Sequence, residues 1–148
     1  MSADTILIVE DNDDDVALIR RAFKQCKISN DLQFVTDGER AMDYIEGVSP
    51  YDDRSAFPFP ILVLLDLKLP RKSGLEVLEW MKHKSFLKRL PVVVLTSSKE
   101  NKDINRAYDL GVNSYLIKPV EFGDLRAIVE QVHLYWVLTN VGPETRGK

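Results

Sequence analysis

Short runs of branched apolar residues recur along this chain, and each run ends at a polar or charged residue. The four clearest are Ile6 to Val9 before Glu10-Asp11, Ile61 to Leu65 before Asp66, Val92 to Leu95 before Thr96-Ser97, and Tyr115 to Ile117 before Lys118-Pro119. Because segments with helical spacing separate these runs, they indicate the buried strands of a parallel sheet. With a shorter strand at Leu32 to Val35, the order predicts an α/β fold. We expect a (βα)5 doubly wound sheet of five parallel strands with helices on both faces.

The helical segments are recognised by apolar residues that lie three or four positions apart. The five stripes are Val16, Ile19, Phe23 and Cys26; Ala41, Tyr44, Ile45 and Val48; Leu75, Leu78 and Met81; Ile104, Ala107 and Tyr108; and Phe122, Leu125, Val129, Val132 and Trp136. Asp13 or Asp14 is placed to cap the first helix, and Gly111 is placed to end the fourth. Asp37-Gly38 indicates a turn after the second strand.

The 148 residues are predicted to form one domain over residues 1–139, followed by a flexible tail over residues 140–148. Residues 48–60 hold three prolines and no periodicity, which predicts an inserted loop, either packed locally or used to bind a partner. The formal net charge of −3 gives no electrostatic reason to expect nucleic acid or an anionic membrane as a partner. A single cysteine, no leader-like start and no apolar stretch of ~20 residues favour a cytoplasmic location.

The C-terminal segment is apolar on more than one face. Beyond the stripe of the last helix, it adds four apolar residues: Leu134, Tyr135, Val137 and Leu138. Exposed apolar patches usually mark an interface, and a twofold homodimer is the commonest outcome. We therefore expect a homodimer through this region, with folding back over the same domain as the alternative.

The polar ends of the strands predict a shared site. In an open parallel sheet, ligands bind beyond the carboxyl ends of the strands, so three carboxylates, a hydroxyl and an ammonium group should meet in one crevice. Repelling carboxylates such as Glu10 and Asp11 at a strand end need a cation, and oxygen ligands favour Mg²⁺ or Mn²⁺. The acids at positions 13–15 are better explained as a solvated helix start.

Each residue of this set, taken alone, is also compatible with a purely structural role. Asp66 could be a turn or helix cap, Thr96 and Ser97 could cap a helix, and Lys118 could be a solvated surface charge. Together, however, they supply the hydroxyl and ammonium donors that an incoming phosphoryl group needs. An EF-hand is excluded, because Val16 stands where that loop requires Gly.

The order of these residues resembles the receiver domain of two-component response regulators. The matching positions are Glu10-Asp11, Asp66 followed by Pro70 and Gly74, Thr96-Ser97, Tyr115 and Lys118-Pro119, within residues 5–130. The resemblance implies the flavodoxin-like receiver fold and a function as phosphoacceptor for a sensor histidine kinase, rather than as an enzyme with a separate substrate. The inserted loop and aromatic last helix further resemble the single-domain regulators that are paired with bacterial phytochromes.

The resemblance also assigns the acidic residues. Asp66 would be the phosphoacceptor. Glu10, Asp11, Asp66 and the backbone carbonyl of Lys68 would hold the metal ion. Lys68, two residues past Asp66, lies at a position that tunes hydrolysis of the aspartyl phosphate in the family.

The remaining site positions are assigned in the same way. Thr96, Ser97 and Lys118 would bind the phosphoryl group. Tyr115 would be an aromatic switch that follows Thr96 inward. Ser98, two residues past Thr96, would tune hydrolysis as Lys68 does.

Two rival functions are weighed against this one. A haloacid-dehalogenase-type phosphatase also phosphorylates an Asp, and Asp11-Asn12-Asp13 imitates its Asp-x-Asp start, but Asp15 departs from its pattern. That family also needs a late acidic metal pair, for which only Glu121 and Asp124 remain. The other rival is a receiver-like scaffold that is not phosphorylated, and the complete set of site residues argues against it.

Overall fold

The computed structural model describes residues 4–139, and side chains for residues 4–136. The strands are β1 (Thr5–Val9), β2 (Asp31–Val35), β3 (Leu62–Leu65), β4 (Val92–Thr96) and β5 (Ser114–Ile117). The α-helices are α1 (Asp13–Gln25), α2 (Gly38–Glu46), α3 (Gly74–Lys82), α4 (Asn101–Asp109) and α5 (Phe122–Val132). A 3₁₀ turn (Ser85–Leu87) precedes β4, and a π-helix (His133–Thr139) extends α5.

The five strands form one parallel sheet in the order β2-β1-β3-β4-β5. The chain moves outward from β1 to β2 and then crosses back to β3 on the other side of β1. This reversal opens a crevice beyond the carboxyl ends of β1 and β3, where ligands bind in folds of this kind. The predicted (βα)5 doubly wound sheet is therefore confirmed.

Alternate residues of the strands feed two apolar layers, as expected when helices cover both faces of a sheet. Ile6 and Ile8 pack with α1 and α5, whereas Leu7 and Val9 pack with α2, α3 and α4. The central strands β1, β3 and β4 are buried along their whole length. This rigid centre fixes the positions of the residues that follow each strand.

Several local predictions were wrong. Asn12, rather than Asp13 or Asp14, caps α1, because its side chain accepts a hydrogen bond from the backbone N–H of Asp15 at 2.9 Å. Asp37 caps α2 instead of forming a turn, since its carboxylate accepts from the backbone N–H of Arg40 at 2.7 Å. At α1 the neighbours Asn12, Asp13 and Asp14 can all accept from the same unpaired N–H groups, and at α2 an Asp-Gly pair is compatible with either a turn or a helix start.

Two residues at the ends of predicted apolar stripes, Val48 and Tyr108, were expected to be buried and are exposed. Val48 lies beyond α2, which ends at Glu46 and is capped by Gly47 with a positive φ of 79°. The side chain of Val48 is exposed. Tyr108 is exposed on α4. Gly111 does follow the end of α4, with a φ of 95°, as predicted.

The loop over residues 48–60 packs against α2. The guanidinium of Arg54 donates hydrogen bonds to the carbonyl oxygens of Tyr44 and Ile45, both at 2.8 Å, and so satisfies the C-terminal end of the helix. The rings of Tyr44, Tyr51 and Phe57 pack against one another with centroids 5.2–6.0 Å apart. The predicted local packing of this loop is confirmed.

The C-terminal end leaves apolar side chains outside the core. Leu134 and Tyr135 are 56% and 55% exposed, whereas Val129 and Val132 are buried against the sheet. The side chains of Val137 and Leu138, and the predicted tail over residues 140–148, lie outside the part that the structure describes. Among the described helices, none has the length and apolarity needed to cross a bilayer.

Candidate functional site

Backbone hydrogen bonds continue the sheet beyond the strand ends and align the site residues. The N–H of Asp66 donates to the carbonyl of Val9 at 3.1 Å, and the N–H of Lys118 donates to the carbonyl of Thr96 at 2.8 Å. The N–H of Glu10 donates to the β2 carbonyl of Val35 at 3.0 Å. The residues that follow β1, β3 and β5 are thereby held at one edge of the sheet.

Asp66 lies at the centre of this edge and is only 5% exposed. Its Oδ1 accepts a hydrogen bond from Thr96 Oγ1 at 2.7 Å and one from the backbone N–H of Lys68 at 3.2 Å. Its Oδ2 accepts from Lys118 Nζ at 2.8 Å. The carboxylate therefore points into the crevice, between the hydroxyl and the ammonium group that the sequence predicted there.

Gly74 explains why the segment after β3 can reach this position. Its N–H donates to the carbonyl of Leu67 at 3.0 Å, which brings the start of α3 against the chain just after Asp66. A Cβ at Gly74 would lie 2.3 Å from the carbonyl oxygen of Asp66. Any other residue at this position would push the loop that carries Asp66 away from the helix.

Lys118 is the cation of the site and contacts three carboxylates. Its Nζ lies 2.5 Å from Glu10 Oε1, 2.8 Å from Asp66 Oδ2 and 2.9 Å from Asp15 Oδ2. Burial by itself lowers the pKa of Lys118, but the hydrogen bonds to Asp66, Glu10 and Asp15 outweigh it and raise the pKa. The ammonium group therefore stays charged.

One lysine does not neutralise three carboxylates. Burial raises the pKa of Glu10 to about 7, and the negative charge of Asp66 adds to the rise against the opposing hydrogen bond from Lys118. Glu10 is 2% exposed, so water cannot offset this repulsion. The site has an excess of negative charge that a second cation would relieve.

Three carboxylates are arranged to receive such a cation. Glu10, Asp11 and Asp66 each offer an oxygen atom, and these atoms lie within 4.8 Å of one another. Asp11 is exposed, so the cluster is open to solvent on one side. Oxygen-only ligands on a partly open site suit a hard divalent ion that keeps some of its water, as Mg²⁺ and Mn²⁺ do. Whether the carbonyl of Lys68 joins them stays a prediction.

The hydroxyl and aromatic residues, Thr96 at the end of β4 and Tyr115 in β5, both adjoin the segment that follows β4. Thr96 is fully buried and contacts Asp66, whereas the side chain of Ser97 is exposed. Tyr115 is half-buried, and its hydroxyl donates a hydrogen bond to the carbonyl of Ser98 at 3.0 Å. Thr96 and Tyr115 thus hold the same short segment from its two ends.

Two carboxylates of this region were missed by sequence reasoning. Asp15, interpreted as a solvated helix start, contacts Lys118. Asp103 is buried on α4 and accepts a hydrogen bond from Ser98 Oγ at 2.6 Å. The signal for Asp103 was available, since it lies four residues before Ala107 on the buried stripe of that helix.

Comparison with known proteins decides the family. The model of the response regulator receiver domain matches residues 6–130. The chain belongs to the response regulator receiver domain family. It is therefore a response regulator that takes part in two-component signalling by phosphoryl transfer, and the phosphatase alternative is not supported.

Two curated relatives of this receiver domain cover most of its length. The probable methanogenesis regulatory protein FilR2 of Methanothrix harundinacea is 42% identical over 138 residues, which are 93% of this chain and 86% of the relative. The response regulator Rcp1 of Synechocystis is 40% identical over 134 residues, which are 90% of this chain and 89% of the relative.

Solved structures agree with the fold and the metal chemistry. The phosphorylated cyanobacterial phytochrome response regulator RcpA has a TM-score of 0.89 and 38% identity, and covers 97% of this chain and 100% of its own. The Mn²⁺-bound form of Rcp1 has a TM-score of 0.86 and 38% identity, over 95% of this chain and 99% of that one. The likeness to a metal-bound receiver and the cluster of Glu10, Asp11 and Asp66 together support divalent metal binding here.

Proposed function

We propose that Asp66 accepts the phosphoryl group from a sensor histidine kinase, with Mg²⁺ held by Glu10, Asp11 and Asp66. The observation that carries this proposal is the environment of Asp66, whose two oxygens accept from Thr96 Oγ1 and Lys118 Nζ. The same two donors can form hydrogen bonds to the oxygens of a phosphoryl group once it is attached to Asp66, and so stabilise its negative charge. Asp66 is also the member of the acidic cluster that both donors reach.

The transfer follows from this arrangement. A carboxylate oxygen of Asp66 attacks the phosphorus of a phosphohistidine, so that a P–O bond forms and the P–N bond breaks. The electron pair of the broken bond returns to the imidazole of the donor. A bound Mg²⁺ ion offsets the repulsion between the carboxylates and the incoming phosphoryl oxygens. The receiver domain assists this transfer and the later hydrolysis on itself, without a separate substrate.

Lys118 and Thr96 connect the transfer to a change of shape. A phosphoryl group brings a charge of roughly −1.5 to −2 and three acceptor oxygens. Lys118 then exchanges its contact with Asp66 Oδ2 for a phosphoryl oxygen, and Thr96 donates to another. The hydroxyl of Tyr115 donates a hydrogen bond to the carbonyl of Ser98, in the same segment as Thr96. A movement of Thr96 therefore also moves Tyr115, and the segment and the ring switch together between two local conformations.

A phytochrome-type histidine kinase is the donor class that we propose. RcpA and Rcp1 support this choice, because RcpA is a phytochrome response regulator and both align over nearly the whole chain. FilR2, a methanogenesis regulatory protein of similar identity, represents the competing assignment. Since sensor kinases use ATP, we place the exchange in the cytoplasm.

A panel of kinases tests both the acceptor and the donor class. Phytochrome and non-phytochrome kinases are first autophosphorylated with labelled ATP and then mixed with the receiver domain. We expect rapid transfer from the phytochrome kinases and none to Asp66→Asn. Transfer that favours another class at equal kinase concentration contradicts the donor assignment, and labelling of Asp66→Asn contradicts the acceptor assignment.

The surface of the C-terminal region is proposed to bind a second copy of the chain. A groove of about 510 Å³ lies between β5 and α5 and is lined by Leu116, Val132, Tyr135 and Trp136, among others. β5 is an edge strand whose outer side is unpaired within the described sheet. Leu134 and Tyr135 stand exposed next to this groove. Because β5 carries Tyr115, such a dimer interface lies beside the switch residue.

A further inference from the structure

Asp103 of α4 contacts both the segment that follows Asp66 and the segment that follows Thr96. Asp103, on the first turn of α4, accepts a hydrogen bond from Ser98 Oγ at 2.6 Å through its Oδ2. The same oxygen lies 3.9 Å from Lys68 Nζ. Lys68 and Ser98 each lie two residues past a side chain of the site, so Asp103 connects the two loops beside Asp66.

The hydroxyl of Ser98 has little freedom in this arrangement. It donates to Asp103, and it accepts from the backbone N–H of Glu100 at 3.4 Å. Ser98 and Asp103 are 7% and 8% exposed, so water does not compete strongly for these bonds. The single proton of the hydroxyl is therefore engaged, and it cannot be donated to a water molecule while the bond to Asp103 holds.

Asp103 also lines a cleft beside the acidic cluster. The cleft has a volume of about 430 Å³, and Asp11, Lys68 and Asp103 are among its lining residues. Asp66 itself is only 5% exposed, so a water molecule can reach it only through an opening between the surrounding loops. The ion pair of Asp103 with Lys68 joins two residues that line the cleft, and the hydrogen bond from Ser98 ties this side of the cleft to the segment after Thr96.

We infer that Asp103 is a positioning residue that slows the loss of the phosphoryl group chiefly through Ser98, by holding its hydroxyl away from attacking water, with the longer contact to Lys68 in a minor role. In that loss, a water oxygen forms a bond to phosphorus while the bond from phosphorus to the Asp66 oxygen breaks. The electron pair returns to the Asp66 carboxylate, a proton is lost to solvent, and inorganic phosphate leaves. This inference rests on the proposed function of Asp66 and adds a control over its lifetime.

The test measures the decay of the phosphorylated protein. The full chain is labelled with acetyl phosphate and Mg²⁺, the donor is removed by rapid gel filtration, and the adduct is followed by intact-mass analysis. Asp103→Ala should raise the hydrolysis rate constant about fivefold, the factor that corresponds to one ordinary hydrogen bond. Asp103→Asn keeps the shape of the side chain and should show a smaller rise. Asp109→Asn, an exposed acid at the end of the same helix, should decay as the wild type does.

A second set of variants separates positioning from a general effect on stability. If Asp103 acts through Ser98, then Asp103→Ala should have little effect in a Ser98→Ala background. The effect should remain in a Ser98→Thr background, which keeps a hydroxyl. A change in melting temperature alone does not produce this dependence on the hydroxyl.

The outcomes distinguish a failure of the role of Asp103 from a failure of the proposed function of Asp66. Equal lifetimes for the wild type, Asp103→Ala and Asp103→Asn overturn the inference, as does an effect that is equally large in the Ser98→Ala background. In both cases the wild type is labelled and the proposed function stands. Absence of an adduct on the wild type overturns the proposed function and this inference with it.

Discussion

At the scale of residues, the site is organised around Lys118. Its ammonium group contacts Glu10 after β1, Asp15 in α1 and Asp66 after β3. Removing a single cation from such a group leaves buried negative charges without a partner, which is costly unless one of them takes up a proton. Glu10 is the member whose burial already raises its pKa to about 7, so it can take that proton.

We therefore expect Lys118→Ala to fold but to lose its response to phosphorylation. The phosphate mimic beryllofluoride should shift the amide resonances of the Thr96–Ser98 segment and of Tyr115 in the wild type, because Lys118 and Thr96 both follow the added charge. The shifts should be absent in Lys118→Ala and reduced in Thr96→Ala. Lys102→Ala, an exposed lysine of α4, should respond as the wild type does. An unchanged response in both site variants would contradict the switch.

Sequence reasoning found the site residues that are recognised by their position at the end of a strand. It missed those that belong to the site only because a residue far along the chain lies next to them. Asp66 follows β3 and Thr96 ends β4, and the parallel arrangement of the strands places both residues at one edge of the sheet. Asp15 belongs to the site only because Lys118, 103 residues later, lies 2.9 Å away. In a sequence, a solvated carboxylate at a helix start cannot be distinguished from one that binds a lysine, because the lysine comes from another part of the chain.

At the scale of elements, the start of α3 sets the position of the loop that carries Asp66. Gly74 lets the helix lie against the backbone of Asp66 and Leu67. The spacing of Asp66, Pro70 and Gly74 could be recognised in the sequence. The reason for Gly, a close backbone approach instead of a positive φ, required the structure.

Gly74→Ala should displace the loop that carries Asp66. The added Cβ would lie 2.3 Å from a backbone oxygen, so the chain must shift. We expect the free energy of unfolding to fall by about 1–3 kcal/mol, as for other overpacked sites, and phosphorylation of Asp66 to slow. Chemical denaturation and a labelling time course measure the two effects.

Gly123→Ala is the matched control for that substitution. A Cβ at Gly123 in α5 meets no atom within 4 Å, and alanine favours helix more than glycine does. This variant should be labelled at the wild-type rate with equal or higher stability. Equal behaviour of the two alanine variants would contradict the packing argument.

At the scale of the whole molecule, the fold was predictable because the pattern of strands and helices repeats. The buried strands follow from their apolar runs, and a parallel sheet covered on both faces follows from their alternation with helical segments. The strand order and the register came from the structure. The cap by Asn12 was not predictable in detail, because Asp13 and Asp14 compete with it at the same helix start, and the cap by Asp37 was not, because Asp-Gly is also typical of a turn. The contact of Arg54 with the end of α2 was likewise hidden, since nothing in a proline-rich loop indicates where one guanidinium binds.

The proposed dimer is tested on the exposed end of the molecule. Leu134→Ser/Tyr135→Ser removes apolar surface that the core does not use, so it should shift the protein toward monomer at tens of micromolar while leaving its melting temperature nearly unchanged. Val48→Ser, an exposed apolar residue beyond α2, should sediment as the wild type does. Sedimentation velocity measures the change, and a wild type that is already monomeric at these concentrations contradicts the proposal.

The central claim is that Asp66 is phosphorylated in a metal-dependent step, and intact-mass analysis after treatment with acetyl phosphate tests it most directly. With Mg²⁺, the wild type and the exposed-acid control Asp109→Asn should each gain the mass of one phosphoryl group. Asp66→Asn should gain none, and neither should the wild type in EDTA, because the crowded carboxylates then repel the anionic donor. An adduct on Asp66→Asn, or full labelling in EDTA, would contradict the account.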